Sequence, residues 1–193
     1  DLGIFVSQLV DGPIKRIVIK YNGEVSNLEV KPITNAILKG LFNRSIDGIN
    51  MVNAPFIAKE RGIEVQESTS NEVHEYTSTV QLQITSEKEE RTVTGSIFGK
   101  GDSRIVQFDE YSLEAVISKN MLVLNNMDVP GVIGNLGNIL GKHNLNIAGF
   151  HLGRMEDGGK AVAIINIDSP PTTEALSELR NTANVINVNS VTL

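Results

Sequence analysis

Asn120-Met121-Leu122-Val123-Leu124-Asn125-Asn126-Met127-Asp128-Val129-Pro130-Gly131-Val132-Ile133-Gly134 is the stretch whose reading decides the fold. It opens as a short apolar run of strand character and changes period at Pro130. Proline suits a first helical turn, because it needs no amide donor there and its φ is already helical. The helix is expected to run to about His143, and Leu145 to Leu152 reads as a second strand. A Glu156-Asp157-Gly158-Gly159 turn joins it to a third at Ala161 to Ile167. Pro171 then starts a helix to Arg180, and Val185 to Val191 is the last strand. The order βαββαβ predicts a ferredoxin-like fold.

Upstream, Leu2 to Val10 carries apolar residues at helical spacing and stops at Asp11-Gly12-Pro13. Ile14 to Tyr21 is β-branched and ends at Asn22-Gly23, as a strand running into a turn does. Pro32 to Phe42 places Ile33, Ile37, Leu38, Leu41 and Phe42 on one helical face. A second helix is signalled by Asn53 as N-cap and Pro55 in the first turn, with Gly62 as its end. Strands are expected at Tyr76 to Thr85, Arg91 to Phe98 and Arg104 to Phe108, with Glu87 to Glu90 as a solvated hairpin tip. Two helices beside several mostly antiparallel strands predict an α+β domain over residues 11–117. Residues 118–193 then form the βαββαβ domain, and 1–10 read as the remnant of a linker helix. The chain starts without Met on what looks like mid-helix, and is read as a piece of a longer protein.

Composition excludes several classes. No apolar run approaches the roughly 18–20 residues that span a bilayer, and the first residues lack the pattern of a signal peptide. The chain has no Cys, so disulfides, thiolate metal sites and a Cys nucleophile are excluded. A net charge of −6 argues against nucleic-acid binding. The three His residues are not paired at helical spacing, so no metal site is expected. A cytoplasmic location fits the absence of Cys.

The chemistry lies around Asp128. Gly131 lets a ligand approach the backbone. The free N–H groups that follow, with the positive end of the helix dipole, suit a carboxylate. Asp128 either caps that helix or holds a ligand ammonium group. Asn126 precedes it by two residues, on the same side of an extended strand. Asn146 opens the second strand and either bridges ligand groups or is a plain turn residue. Lys59, Arg61, Lys100 and Arg104 form an anion site or a solvated surface. His143 is expected to favour a helix C-terminus, and His151 to serve packing or an interface. Gly134, Gly137 and Gly141 are spaced along a helix, and no G-x-G-x-x-G follows a strand.

Met127-Asp128-Val129-Pro130-Gly131-Val132-Ile133-Gly134, with Gly141-Lys142-His143-Asn144-Leu145-Asn146-Ile147-Ala148, resembles the signature of an ACT domain. Val52-Asn53-Ala54-Pro55, Ala58-Lys59-Glu60-Arg61-Gly62, Gly95-Ser96-Ile97-Phe98-Gly99 and Arg104-Ile105-Val106 resemble an intervening domain. That domain lies between the catalytic and ACT parts of long-form D-3-phosphoglycerate dehydrogenases. The resemblance implies an NAD-dependent parent enzyme of serine biosynthesis, with no catalytic site and no cofactor in the present part. It implies L-serine bound where two ACT domains pair, with Asn126, Asp128, Gly131, Val132, Asn146 and Ile147 as contacts. A homodimer, and a homotetramer of the parent, are the assemblies implied. Two alternatives stand beside feedback control by serine: a constitutive oligomerisation module, and the regulatory part of a bacterial L-serine dehydratase subunit.

Overall fold

The computed structural model describes residues 1–73, 75–99 and 101–193. They form two compact units, Asp1–Asp109 and Glu110–Leu193.

The first unit opens with α1 (Leu2–Ser7), shorter than the expected 2–10 helix, followed by β1 (Ile14–Gly23). A 3-10 turn at Glu24–Asn27 leads to α2 (Lys31–Phe42) and α3 (Ala54–Glu60). Strands β2 (Glu64–Ser70), β3 (Ser78–Ser86), β4 (Glu90–Phe98) and β5 (Asp102–Phe108) complete it. Within this unit the strand order is β2-β1-β3-β4-β5, antiparallel except for β1 and β2. A parallel pair needs a crossover, and α2 with α3 supplies it.

Ile17, Ile19 and Tyr21 alternate along β1 onto the buried face, against Leu82, Ile84, Val93, Ile105 and Phe108. Helix α2 covers that side with Ile37, Leu38, Leu41 and Phe42, all buried. The Tyr21 hydroxyl finds Thr34 Oγ1 at 2.7 Å, so its polar end is satisfied inside the core. Helix α1 is part of this unit: Phe5 and Val6 are fully buried, and Phe5 meets Phe108 edge to face at 6.3 Å. It crosses α2 closely, since a Cβ at Gly3 would lie 2.3 Å from the Ile37 carbonyl oxygen.

Asn53 stands at the N-cap of α3, but its side chain does not cap it; Oδ1 accepts from the Asn50 amide at 2.7 Å. The acidic hairpin tip is less solvated than expected. Glu89 pairs with Arg91 at 2.8 Å and accepts from the Asp11 amide at 2.7 Å.

The second unit begins with β6 (Tyr111–Val116), a strand not expected from the sequence. Then come β7 (Asn120–Met127), α4 (Val132–Lys142), β8 (Ile147–Arg154), β9 (Lys160–Ile167), α5 (Thr173–Arg180) and β10 (Val185–Thr192). The four-stranded sheet has the order β10-β7-β9-β8 with every neighbouring pair antiparallel, the expected ferredoxin-like arrangement. Both helices pack on one face. Val132, Leu136 and Leu140 from α4, and Ala175 and Leu179 from α5, close over Leu122, Leu124, Ala163, Ile165 and Val188.

Strand β6 packs against β8, where a Cβ at Gly153 would lie 3.0 Å from the Tyr111 Cβ. Beginning and end of the sheet adjoin, with Thr192 opposite Asn120 and the Leu193 amide donating to the Lys119 carbonyl at 2.9 Å. Among the described residues no helix is long and apolar enough to cross a membrane.

Candidate functional site

The chain leaves β7 under tight control. The Met127 amide donates to Asn184 and the Asp128 amide to Gly159, both at 2.8 Å. Gly131, with φ 91°, is the N-cap of α4, so a residue with a Cβ would be strained there. Pro130 therefore precedes the helix instead of opening it, and Asp128 is not its cap. The first regular helical bond is Asn135 N–H to the Gly131 carbonyl. The amides of Val132, Ile133 and Gly134 thus have no i−4 acceptor within the helix. Gly131, having no side chain, provides no cap for this end. Val132 N–H reaches only the Val129 carbonyl, at 3.4 Å. Uncapped amides at the positive end of an 11-residue helix suit a carboxylate.

Asn126 follows Leu122 and Leu124 on the face that packs against α4. It is 2% exposed, its Nδ2 donates to the Met127 carbonyl at 2.8 Å, and its Oδ1 is buried without a partner among the described residues. An unpaired buried acceptor costs about 1–3 kcal/mol unless a donor reaches it. Asp128 is engaged: Arg154 Nη1 lies 2.9 Å from its Oδ2 and 3.1 Å from Asp157 Oδ1. The hydrogen bond to Asp128, then the charge of Asp157, hold the Arg154 guanidinium above its ordinary pKa. Val132 gives its side chain to the core and offers this site only its amide.

Asn126, Asp128, Gly131 and Val132 thus gather at one end of the sheet. Asn146 and Ile147 do not join them within one chain. Residue 147 pairs with 167 at the far end of β8, whereas 154 pairs with 161 beside the Asp128 end. At about 3.4 Å per residue the two ends of β8 are roughly 24 Å apart. There Asn146 Nδ2 donates to Asp168 Oδ2 at 2.7 Å.

The basic set is also dispersed. Lys100 lies outside the described residues. Arg104 on β5 stacks over the Phe98 ring at 4.5 Å and grips Asp102 Oδ2 at 2.7 Å and 3.0 Å. Lys59 and Arg61 sit at the end of α3, just before β2. Four strand spacings, about 19 Å, separate β2 from β5. Lys59 instead lines an open cleft of about 540 Å³ with Lys31, Asn35, Leu38 and Ile63. His143, at the end of α4, has Nε2 2.8 Å from Glu178 Oε2 on α5, and His151 Nε2 is 3.1 Å from Asn166 Oδ1.

Sequence reasoning missed Arg154. A single basic residue ahead of an acidic turn carries no signal of its own; only the β8–β9 register sets it against Asp128.

A βαββαβ unit whose first helix opens on a glycine after an Asp-x-Pro-Gly turn is an ACT domain, and residues 120–184 match that family's model. Residues 1–109 match the model of the D-3-phosphoglycerate dehydrogenase intervening domain. The chain belongs to the D-3-phosphoglycerate dehydrogenase intervening-domain family and carries an ACT domain after it. It is similar along its whole length to D-3-phosphoglycerate dehydrogenases of Bacillus subtilis (31% identical), Synechocystis (33%) and Archaeoglobus fulgidus (33%). It spans 37%, 35% and 37% of those proteins, respectively.

Proposed function

We propose that this chain is the regulatory and assembly region of an NAD-dependent D-3-phosphoglycerate dehydrogenase, and that its ACT unit binds L-serine for feedback control. In this reading NAD and the oxidation of phosphoglycerate belong to the remainder of such a protein, in the cytoplasm. The basic residues of the first unit are assigned no shared ligand, since the sheet separates them.

The observation that carries the reading is the placement of the two halves of the site at opposite ends of β8. That strand is an edge of its sheet, and its start, at Ile147 and Ala148, is exposed. An exposed edge invites pairing. If β8 pairs antiparallel with β8 of a second copy, Asn146 and Ile147 of one come to the same end of the joined sheet as Asp128 and the α4 amides of the other. The ligand carboxylate then meets the helix amides, its ammonium meets Asp128, and the partner's amide side chain closes the site. Buried Asn126 Oδ1, on the α4 side of the sheet and without a partner among the described residues, is a further acceptor at this end. A ligand shared by two copies favours one arrangement of the assembly over another, which is what regulation requires.

The test is isothermal titration with L-serine, using glycine, L-alanine and D-serine as controls, alongside sedimentation analysis. Asp128→Ala and Asn146→Ala should each abolish binding. Mixing the two variants should restore about a quarter of the wild-type sites, because half the dimers are then mixed and each holds one intact site. Silence from wild-type protein that is dimeric would remove the effector.

One observation favours a second reading. Asp128 and Asn146 already hold intrachain partners, Arg154 and Asp168. A constitutive assembly module would keep those bonds in every state, and its dimer would ignore amino acids.

A further inference from the structure

We infer that Arg154 sets the selectivity of the α4 site between amino acids and simple carboxylates, by competing with the ligand's ammonium group for Asp128. The inference rests on the reading of that helix end as an amino-acid site, for which Asn126 Oδ1, buried and without a partner among the described residues, is an observation independent of the helix terminus.

The geometry makes the competition direct. Only 19% of the Asp128 side chain is exposed, and Arg154 Nη1 occupies Oδ2 at 2.9 Å. An ammonium group bound by that carboxylate meets Arg154 as a rival for Oδ2 or, on Oδ1, as a like charge close by. Arg154 is free to yield. Its side chain is 53% exposed, and Asp157 Oδ1, on a side chain that is 90% exposed, already lies 3.1 Å from the same Nη1. A guanidinium leaving Asp128 therefore keeps an anionic partner. The Asp128 amide is tied independently to the Gly159 carbonyl, so the backbone that carries the carboxylate stays in place when Arg154 moves.

The consequence differs by ligand. A zwitterionic amino acid must either displace Arg154 from Oδ2 or place its ammonium group on the same carboxylate beside the guanidinium, a like charge. A carboxylate without an amine takes the α4 amides alone and leaves the ion pair intact. Arg154 therefore lowers affinity for the first class and spares the second.

The test titrates the full chain with L-serine and with 3-hydroxypropionate, which has the same carboxylate and hydroxyl but no amine. Wild type, Arg154→Met and Arg154→Lys are compared, with circular dichroism melts to show that all three fold. Exposed ion pairs are weak, so the expected gain for serine in Arg154→Met is about two- to five-fold. Arg154→Lys should fall between wild type and Met. Affinity for 3-hydroxypropionate should not rise in either variant. Serine binding that is unchanged or weaker in Arg154→Met overturns the inference while leaving the serine site standing. An equal gain for both ligands also overturns it, since that would mark a general effect on access. Absence of serine binding in all three proteins removes the inference together with the reading on which it rests.

Discussion

Gly40 meets Gly3 where α2 crosses α1: a Cβ at Gly40 would lie 3.3 Å from the Gly3 Cα and 2.9 Å from the Ile4 amide nitrogen. Both contacts are with backbone, which has no rotamer through which to yield. Gly40→Ala and Gly3→Ala are each expected to destabilise the first unit by about 1–3 kcal/mol, despite alanine's better helix propensity. Urea denaturation followed by circular dichroism reads this directly. A gain in stability for either variant would mean that the helices can separate at little cost.

Arg91 joins two anions at the end of the first unit. It lies 2.7 Å from Asp109 Oδ2 and 2.8 Å from Glu89 Oε2, with its guanidinium 5.9 Å from the Phe108 ring centroid. Asp109 Oδ1 also accepts from the Thr92 amide at 2.9 Å, which fixes the carboxylate. Arg91→Met should cost about 1–3 kcal/mol, since it leaves a partly buried carboxylate without its cation. A double-mutant cycle with Asp109→Asn should show positive coupling; strict additivity would place the cost in packing alone.

The two helices of the ACT unit start differently. Thr172 Oγ1 accepts from the Ala175 amide at 3.2 Å and caps α5, whereas Gly131 gives α4 no capping side chain. Thr172→Ala is therefore expected to cost about 0.5–2 kcal/mol. Asp128→Ala forfeits no cap and should cost less, the Arg154 pair being partly exposed. Thermal melts of both variants rank them.

Acid should loosen the link between α4 and α5. Hydrogen bonds from Lys142 and His143 hold the Glu178 carboxyl below its ordinary range. A depressed carboxyl pKa contributes stability that is present above the unfolded value, about 4.3, and lost as pH falls through the lower folded value. Melting temperatures of wild type and Glu178→Gln should differ near neutral pH and converge as pH drops below about 4. A gap that stays constant with pH would assign the effect to packing.

Legibility depended on which side chains carried a pattern. The ACT unit is plain because its apolar runs agree with the strands and helices, although Pro130 and Pro171 stand just before the helices they were expected to open. Strand β6 was equally legible and overlooked: Tyr111, Leu113 and Ala115 are buried while Ser112, Glu114 and Val116 face out, a strict alternation. Strand β2 left no such trace. Val65 is the only apolar residue among Glu64–Ser70, because an exposed edge has one partner strand and little core to fill.

At the site, Asn126 and Asp128 could be placed beside a helix terminus from local order alone. Their partners could not, since Arg154 reaches Asp128 across the β8–β9 turn and Asn146 lies at the other end of β8. Lys59, in a helix, and Arg104, beside a Gly-rich turn, resemble parts of one anion site in the sequence, but sheet order is a long-range property and it separates them.

The adjacency of Asn120 and Thr192 has a mechanical side. Pulling the ACT unit by those two points loads the β7–β10 ladder from one end, so its hydrogen bonds bear force one after another instead of together. The edge strand then peels like a zipper at low tension, although its Val188 and Val191 are fully buried. Held by its ends the unit is soft; gripped across its sheet, where many bonds share the load, it is stiff.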